Sequence, residues 1–370
     1  MNTQRGIAPR LRPAFEDQDR RFGQVVGRLK DGAQQQVYPG AVLAVAVKGS
    51  LVVHKAVGRF TDDVAAQAVK VNTPYDLASL TKVVATTTMA MILFERGCFE
   101  LDMPLAKILP EFDPQADPRR QRVTLRMLLA HSSGLPIYAP LYQTAQDREA
   151  VLAAACALPL EADPGTSVGY SDIGFILLGA ALERLAGEPL NRFCQQQIFE
   201  PLGLLRATFC PPPGWRDTIP PTEKTQPQRP RIIQGEVQDE NAAAMGGVAG
   251  HSGLFGCAQE LAIFAECMLN GGAPILKPET VELFTQRETT PPGTSRTLGW
   301  DTPSAPSQSG HFLSSTSFGH LGFTGTSLWI DPERRLSVTL LTNRTWPDRK
   351  SEAIKQLRPL LHNQIVETLK

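Results

Sequence analysis

The 370-residue sequence lacks the features that mark several specialised classes of protein. Positive and negative charge are in balance, with 37 Lys and Arg against 37 Asp and Glu, so nothing favours binding to nucleic acid or to an anionic membrane. No apolar run approaches the roughly 20 residues of a membrane-spanning helix. The first residues contain no apolar core of the kind found in a secretory signal. These absences predict a cytoplasmic globular protein of one or two domains.

Cysteine is scarce, and its positions show no metal-binding spacing. None of the six forms C-x-x-C, and several lie in apolar helical contexts: they are Cys98, Cys156, Cys194, Cys210, Cys257 and Cys267. Such positions favour buried free thiols in a reducing compartment over a disulfide framework. The six histidines likewise show no H-E-x-x-H or other ligand spacing. We therefore expect neither a metal nor a cofactor.

Strand-forming runs lie towards both ends of the chain, and helical patterns fill its middle. Residues 40–47 and 51–57 predict one hairpin, and residues 326–331 and 336–343 predict another pair of strands. Helices are expected at 13–32, 79–96, 123–130, 147–157, 172–186, 189–199, 258–270 and 351–369. Long surface loops are expected at 211–240, which is rich in proline, and at 285–316.

This order of elements predicts an α+β fold. Both pairs of strands would join one antiparallel sheet flanked by the terminal helices, with a helical subdomain inserted between them. We expect a discontinuous sheet domain (1–78 and 211–370), an all-helical subdomain (79–210) and an active site between the two.

The stretch Thr73–Gly97 carries the first candidate for chemistry. It is expected to form a short approach and one long helix, which Gly97 would end. Ser79 and Lys82 stand near its start in the pattern S-x-x-K, where a spacing of three places them on one helix face. Free N–H groups and the positive end of the dipole favour a nucleophile and an oxyanion there. The pattern is common by chance, so its meaning depends on the rest of the chain.

Two later triplets are further candidates, although each has an ordinary structural explanation. Tyr170-Ser171-Asp172 precedes an apolar helix, and Asp172 could be its N-cap. His320-Leu321-Gly322 could be a turn.

Two other motifs are weaker. The segment 165–169, GTSVG, matches G-x-S-x-G, but LPLEADP before it is not a strand, so we expect a loop rather than an α/β-hydrolase elbow. The glycine-rich segment 246–256 lacks the Lys-Ser/Thr of a phosphate loop, and its small residues would let the backbone pass close to a pocket.

Taken in order, the three triplets resemble those of the serine β-lactamase and penicillin-binding-protein superfamily. The resemblance is strongest to the class C β-lactamase-like group of esterases, D-amino-acid peptidases and penicillin-binding proteins, which shows S-x-x-K, Y-x-N and K-T-G or H-x-G. Stretches at 128–136, 169–179, 199–209, 246–256 and 319–332 look like the family as well, so the resemblance covers roughly residues 35–345.

The resemblance implies a β-lactamase/transpeptidase-like fold and a role for each matching residue. Ser79 would be the acylated nucleophile and Lys82 its activator. Tyr170 would be the general base and acid, with a phenol pKa lowered by the neighbouring amine. His320 would provide the third motif, on a strand edge facing Ser79. The backbone N–H groups of Ser79 and Phe323 would form the oxyanion hole. Asp172 and Gly322 would contact the substrate.

Two departures from the family pattern bear on the substrate. Asp172 stands where the family often has Asn; an ionised Asp accepts hydrogen bonds without donating them. It also favours protonated Lys82, which shifts the role of base towards Tyr170. His320-Leu321 replaces a Lys-Thr pair that holds a substrate carboxylate in the family.

We therefore expect a serine hydrolase that cleaves an ester or amide of a small molecule or peptide through acyl-Ser79. The alternative is a penicillin-binding DD-peptidase, a D-aminopeptidase or a weak β-lactamase acting on cell-wall peptides. A non-catalytic scaffold is disfavoured because both Ser79 and Lys82 are present.

Overall fold

The computed structural model describes residues 8–112 and 117–370. Its main sheet has six strands in the order β1-β3-β2-β9-β8-β7, and a smaller sheet has the order β4-β6-β5. The strands are β1 (Arg12–Pro13), β2 (Gly40–Val47), β3 (Ser50–Gly58), β4 (Tyr75–Asp76), β5 (Thr208–Phe209), β6 (Leu254–Gly256), β7 (Phe318–Leu321), β8 (Ser327–Asp331) and β9 (Leu336–Thr342).

The main sheet joins the two ends of the chain, as the sequence predicts. β2 pairs antiparallel with β3 on one side and with β9 on the other, and β9 continues through β8 to β7. Only the short β1 runs parallel to its neighbour β3, which makes the sheet mixed. The first hairpin turns at Lys48 and Gly49, both with positive φ.

Alternation along β2 explains why this sheet is buried on both faces. Val42, Ala44 and Ala46 belong to one hydrophobic core, and Leu43 and Val45 belong to another. Successive side chains of a strand point to opposite faces, so an unbroken apolar run must be covered on both sides. The helix at Gly23–Gln34 and the C-terminal helix pack on one face, while the helix at Ala258–Leu269 contacts β2 and β9 on the other.

Most expected helices are present, with corrections at their ends. Among the described residues, the α-helices are α1 (Gln18–Arg21), α2 (Gly23–Gln34), α3 (Thr88–Glu95), α4 (Leu105–Ile108), α5 (Leu125–Leu129), α6 (Arg148–Ala157), α7 (Asp172–Ala186), α8 (Leu190–Cys194), α9 (Glu200–Leu202), α10 (Glu240–Ala244), α11 (Ala258–Leu269), α12 (Pro278–Thr285) and α13 (Ile354–Thr368). The helix expected over 13–32 begins only at Gln18, because Arg12–Pro13 pairs with β3 instead.

The helix that follows Ser79 is not the single regular helix that the sequence predicts, because it begins with π-helical winding. Lys82–Thr87 is a π-helix that leads directly into α3, and Gly97 follows the end of α3 with φ 71°. A second π segment, Gln195–Phe199, lies between α8 and α9. Short π segments inside helices occur often at functional sites.

The two long loops have different characters. Residues 211–240 contain only a 3₁₀ turn at Pro213–Thr218 and α10's first residue, yet Ile219, Glu223 and Ile233 are buried. The expectation of a surface loop is therefore wrong for much of this segment, which packs against the body of the protein. The 286–317 segment lacks regular structure, but it is adjoined by α12, which the sequence analysis did not predict, and by β7, which only the family resemblance implied through His320.

No helix in the described ranges is both long and apolar enough to cross a bilayer.

Candidate active site

Ser79 lies in the turn between β4 and the π-helix. The residue before it, Ala78, has φ 48°, a left-handed conformation that non-glycine residues rarely adopt. The buried Asp76 supports this turn, since one carboxylate oxygen accepts from the Ala78 N–H at 2.8 Å and the other from the Gln238 N–H at 2.7 Å. Burial raises the pKa of Asp76 to about 6. The Asp76 carboxylate thus links the backbone of the 211–240 segment to the backbone that carries Ser79.

Lys82 is completely buried and donates to three acceptors. Its Nζ lies 3.0 Å from Ser79 Oγ, 2.6 Å from Asp172 Oδ1 and 3.0 Å from the carbonyl oxygen of His251. Burial by itself lowers the pKa of Lys82, but the charges of Asp172 and Tyr170 and the hydrogen bonds to both together outweigh it, and the net pKa is raised. Three acceptors around one nitrogen match the three N–H groups of an ammonium, so Lys82 is charged in this arrangement.

Asp172 is the first residue of α7 and not its N-cap, which corrects the structural alternative considered for it. The cap is Ser171, whose Oγ accepts from the Gly174 N–H at 2.9 Å and donates to the carbonyl oxygen of Pro136. Because Ser171 satisfies the helix end, the Asp172 carboxylate is available to pair with Lys82.

Tyr170 stands between Lys82 and two histidines. The Lys82 Nζ is 5.0 Å from its ring centroid, and the rings of His131 and His320 are 4.6 and 5.7 Å away, centroid to centroid. The expectation that its phenol pKa is lowered is wrong. Burial and the charge of Asp172 together raise this pKa more than the charge of Lys82 and the hydrogen bonds to Lys82 and Ser79 lower it. His131 supports the segment, since its Nδ1 accepts from the Ser171 N–H at 3.0 Å.

His320 lies on β7, the edge strand of the main sheet. Burial and the charges of Lys82 and Arg296 lower the pKa of His320 well below its usual range, so the ring is neutral. Its Nδ1 donates to the carbonyl oxygen of Leu321 at 2.8 Å, which leaves Nε2 as an acceptor without a partner in the described residues. A neutral imidazole cannot supply the positive charge of the lysine that it replaces in the family motif.

The turn after β7 is attached directly to the Ser79 segment. Thr324 Oγ1 donates to the carbonyl oxygen of Asp76 at 2.9 Å, and Thr326 Oγ1 donates to that of Leu77 at 3.0 Å. At Gly322, a Cβ would lie only 1.9 Å from Thr326 Oγ1 and 2.7 Å from the Leu77 oxygen. The backbone N–H groups of Ser79 and Phe323 make no hydrogen bond to any described residue, so both remain available to a ligand.

These residues meet in a cavity of about 560 Å³. The predicted site residues that line it are Ser79, Tyr170, Asp172, His320, Gly322 and Phe323. Lys82 lies beneath the cavity surface but contacts Ser79 and Asp172, so the structure brings all the predicted site residues together. Ser167, the serine of the G-x-S-x-G match, is exposed in the loop before α7 with no strand preceding it. The α/β-hydrolase alternative is therefore wrong.

Close packing of glycines brings the 246–256 segment to the site, as its small residues predict. A Cβ on Gly250 would lie 2.1 Å from the carbonyl oxygen of Phe175 in α7, and Thr86 Oγ1 donates to the Gly250 carbonyl at 2.6 Å. The next residue, His251, presents its own carbonyl to Lys82.

The sequence analysis assigned no role to His251 and missed its partner Asp239. His251 Nε2 lies 2.8 Å from Asp239 Oδ1. Burial alone raises the pKa of Asp239, but His251 and the Ala242 N–H lower it to about 2. Asp239 is the N-cap of α10, so a capping residue before a short alanine run was its only signal.

Several cavity arginines were also missed. The Arg296 guanidinium lies 5.3 Å from the Tyr170 ring centroid, and Arg344, Arg349 and Arg358 line the cavity from the C-terminal part of the chain. The sequence offered little to find them: Arg344 lies two residues after the end of β9, and Arg358 lies inside α13.

Comparison with known proteins identifies the family of the chain. The family model described as Beta-lactamase matches residues 24–361. The chain is 32% identical over 343 residues to a protein of Bacillus subtilis (strain 168) named N-acetylmuramyl-L-alanine amidase, covering 83% of this chain and 77% of that protein. It is 33% identical over 347 residues to a putative D-alanyl-D-alanine carboxypeptidase of Escherichia coli (strain K12), covering 83% and 79%.

Solved structures show the same fold at lower identity. EstCE1, described as a hydrolase with promiscuous acyltransferase activity, superposes with a TM-score of 0.75 at 23% identity over 94% of this chain and 98% of its own. The octameric penicillin-binding protein homologue from Pyrococcus abyssi gives 0.71 at 22% identity over 92% and 77%. On the match to the family model and to the curated relatives, the chain belongs to the Beta-lactamase family of serine hydrolases.

Proposed function

We propose that this protein hydrolyses an amide bond of a cell-wall peptide through an acyl intermediate on Ser79. The observation that supports the proposal is the buried cluster in which Lys82 donates to Ser79 and Asp172, beside the free N–H groups of Ser79 and Phe323. A serine, a proton acceptor and fixed N–H donors are what acyl transfer requires. The curated relatives carry names that denote cleavage of amide bonds.

The proton of Ser79 would pass to Tyr170. All three N–H groups of Lys82 already have acceptors, and Ser79 Oγ is one of them, so deprotonated Tyr170 is the partner for the serine hydroxyl. As Oγ bonds to the substrate carbonyl carbon, the carbonyl oxygen would gain charge and accept from the N–H groups of Ser79 and Phe323. Tyr170 would then protonate the leaving nitrogen, and the C–N bond would break.

Water would complete the reaction by the same route. Tyr170 would remove a proton from water, the hydroxide would attack the acyl ester, and Ser79 would leave with the proton returned. The charge of Lys82 stabilises the phenolate, and Asp172 holds Lys82 in place. His320 Nε2 can accept from a substrate N–H. We place this site between the sheet domain (1–78 and 211–370) and the helical subdomain (79–210), since cavity residues come from both.

A fluorophosphonate probe and intact-protein mass spectrometry test the nucleophile. We expect one adduct, located by peptide mapping on Ser79 and absent from Ser79→Ala. Ser167→Ala is the matched control and should label like the wild type. An adduct on Ser167, or hydrolysis that survives Ser79→Ala, would refute the proposal.

Ester hydrolysis is the second candidate, and the His320-Leu321 pair favours it because this pair lacks the Lys and Thr that hold a carboxylate in the family. A comparison of rates on D-Ala-D-Ala peptides, N-acetylmuramyl-L-alanine and short p-nitrophenyl esters separates the two. Turnover of either amide, with labelling by fluorescent penicillin competed by the peptide, supports the amide proposal. Fast ester hydrolysis with no amide turnover and no penicillin labelling would support the ester candidate.

A further inference from the structure

Two buried arginines of the cavity, Arg344 and Arg358, have no ion-pair partner in the described ranges. They are 9% and 3% exposed. The acidic side chains that line the cavity are each paired with another basic side chain: Asp172 with Lys82, Asp239 with His251, Glu240 with Arg349, and Asp301 with Arg296. Because Glu223 and Glu240 share one cation, Arg349, the arginines at this end of the cavity exceed the carboxylates by one positive charge.

Arg344 has one side of its guanidinium free. Its Nε donates to the carbonyl oxygen of Phe323 at 2.8 Å, and its Nη1 donates to the carbonyl oxygens of Arg349 and Ser351. Its Nη2 donates to no residue that the structure describes. Two carboxylates, Glu223 and Glu352, are close enough to affect the pKa of Arg344. Glu223 pairs with Arg349 and Glu352 pairs with Lys355, with a nitrogen–oxygen distance of 2.5 Å in each pair.

Arg358 approaches the same turn from α13. Its Nη2 donates to the carbonyl oxygen of Gly325 at 3.0 Å and its Nη1 to Gln308 Oε1 at 3.1 Å, while its Nε is buried without a partner in the described residues. Burial and the charge of Arg344 lower the pKa of Arg358 to about 9, so it remains charged at neutral pH. A buried cation without a counter-ion is costly, and a bound anion would relieve that cost.

We propose that Arg344 and Arg358 form a subsite for a carboxylate of the substrate. The inference rests on the proposed function. The subsite would fix the position of the substrate's carboxylate relative to the bond that Ser79 attacks. Arg344 holds the carbonyl of Phe323, whose N–H is the proposed oxyanion donor, so the subsite and the oxyanion hole share one turn. The planar guanidinium matches a carboxylate, and the neutral His320 cannot take its place.

Matched pairs of ester substrates test the subsite. Each pair carries the same scissile bond and differs only in a terminal carboxylate or carboxamide, placed in one pair on the acyl side and in another on the leaving group. In one of these pairs we expect the wild type to favour the acid in kcat/KM by roughly 10- to 100-fold, the range of one or two charge-assisted hydrogen bonds. Arg344→Gln should reduce that preference about tenfold or more.

Lys355→Gln is the matched control. Lys355 also lines the cavity, but it is exposed and paired with Glu352. The substitution therefore removes one positive charge but no buried hydrogen-bond donor. Its acid-to-amide ratio should stay within roughly twofold of the wild type. Arg358→Lys keeps the buried charge, should fold, and should retain more of the preference than Arg358→Gln.

The outcomes separate the subsite from the proposed function. Equal rates for acid and amide in every pair, while Ser79 is still acylated, would overturn the subsite alone. An equal loss of preference in Arg344→Gln and Lys355→Gln would also overturn it, since general charge would then explain the effect. Failure of every substrate and of the fluorophosphonate to acylate Ser79 would overturn the proposed function itself.

Discussion

Lys82 and Asp172 control the protonation of the site together. The ammonium is wholly buried, and the carboxylate 2.6 Å away raises its pKa. The same carboxylate raises the pKa of Tyr170, which burial has already raised. In the resting site both Lys82 and Tyr170 therefore hold their protons at neutral pH, and a reaction that needs the phenolate must become faster as the pH rises.

Replacing Asp172 should move that dependence. In Asp172→Asn the charge that raises both pKa values is gone, so the phenolate forms at lower pH and the rising limb of kcat/KM shifts to lower pH. Turnover of amide substrates at neutral pH should rise, because Asn also donates to a substrate carbonyl. The measurement is a pH profile of kcat/KM from pH 6 to 10.

Asp301→Asn is the control for this prediction. Asp301 lines the same cavity but pairs with Arg296, and its charge contributes to neither pKa shift. Its profile should match the wild type. An unshifted limb in Asp172→Asn would show that Tyr170 is not the base.

At the scale of elements, the site depends on the contact between the β7–β8 turn and the segment that carries Ser79. Two threonine hydroxyls donate across this contact, and Gly322 allows the two backbones to approach. The unusual φ of Ala78 is held from the other side by Asp76. The two proposed oxyanion donors, one on each segment, are thereby set at a fixed separation.

Gly322→Ala should separate these two segments. The added methyl overlaps both the Thr326 hydroxyl and the Leu77 carbonyl oxygen, and neither backbone can yield easily. We expect kcat to fall by about tenfold or more, as for loss of one oxyanion donor, with thermal melting still cooperative. Gly214→Ala is the control, because nothing lies within 4 Å of its Cβ. Equal activity in the two variants would show that the turn is not what positions the oxyanion hole.

At the scale of the whole molecule, the terminal segments close the fold. β2 and β3 from the start of the chain pair with β9 from its end. One face of this sheet is covered by α2 and α13, with Phe22, Leu29 and Leu361 in the shared core. Arg344 and Arg358 line the cavity from the same C-terminal region, so the part of the chain that closes the sheet also completes the cavity.

Adjacent leucines in α13 test this account of stability. Leu361 is fully buried and Leu360 is 50% exposed. Leu361→Ala should lower the free energy of unfolding by about 2–5 kcal/mol, and Leu360→Ala by less than about 0.5 kcal/mol. Urea denaturation followed by circular dichroism measures both. Similar losses in the two variants would contradict the packing of α13 on the sheet.

The local sequence pattern was sufficient to predict the strands and helices whose conformation depends mainly on their own residues. The hairpin of β2 and β3 follows from two valine-rich runs around Lys48-Gly49, and α6 and α7 follow from capped helical patterns. The residue pattern did not show β7, which only the family resemblance implied, because the four residues FGHL show no alternation and pairing with β8 decides their structure. The π winding at Lys82–Thr87 and the buried parts of 211–240 likewise depend on neighbours that are distant in sequence.

The sequence by itself determined the α+β order of the chain and the candidates Ser79, Lys82, Tyr170 and His320, since these depend on short motifs and their sequence order. Only the tertiary structure decided their protonation and charge. The phenol of Tyr170 has a raised pKa and the ring of His320 is neutral, because burial acts on both. The unpaired charge of Arg344 and Arg358 is also a tertiary property, since it depends on which carboxylates distant segments bring near. An electrostatic environment is a sum over neighbours in space, and local spacing does not contain it.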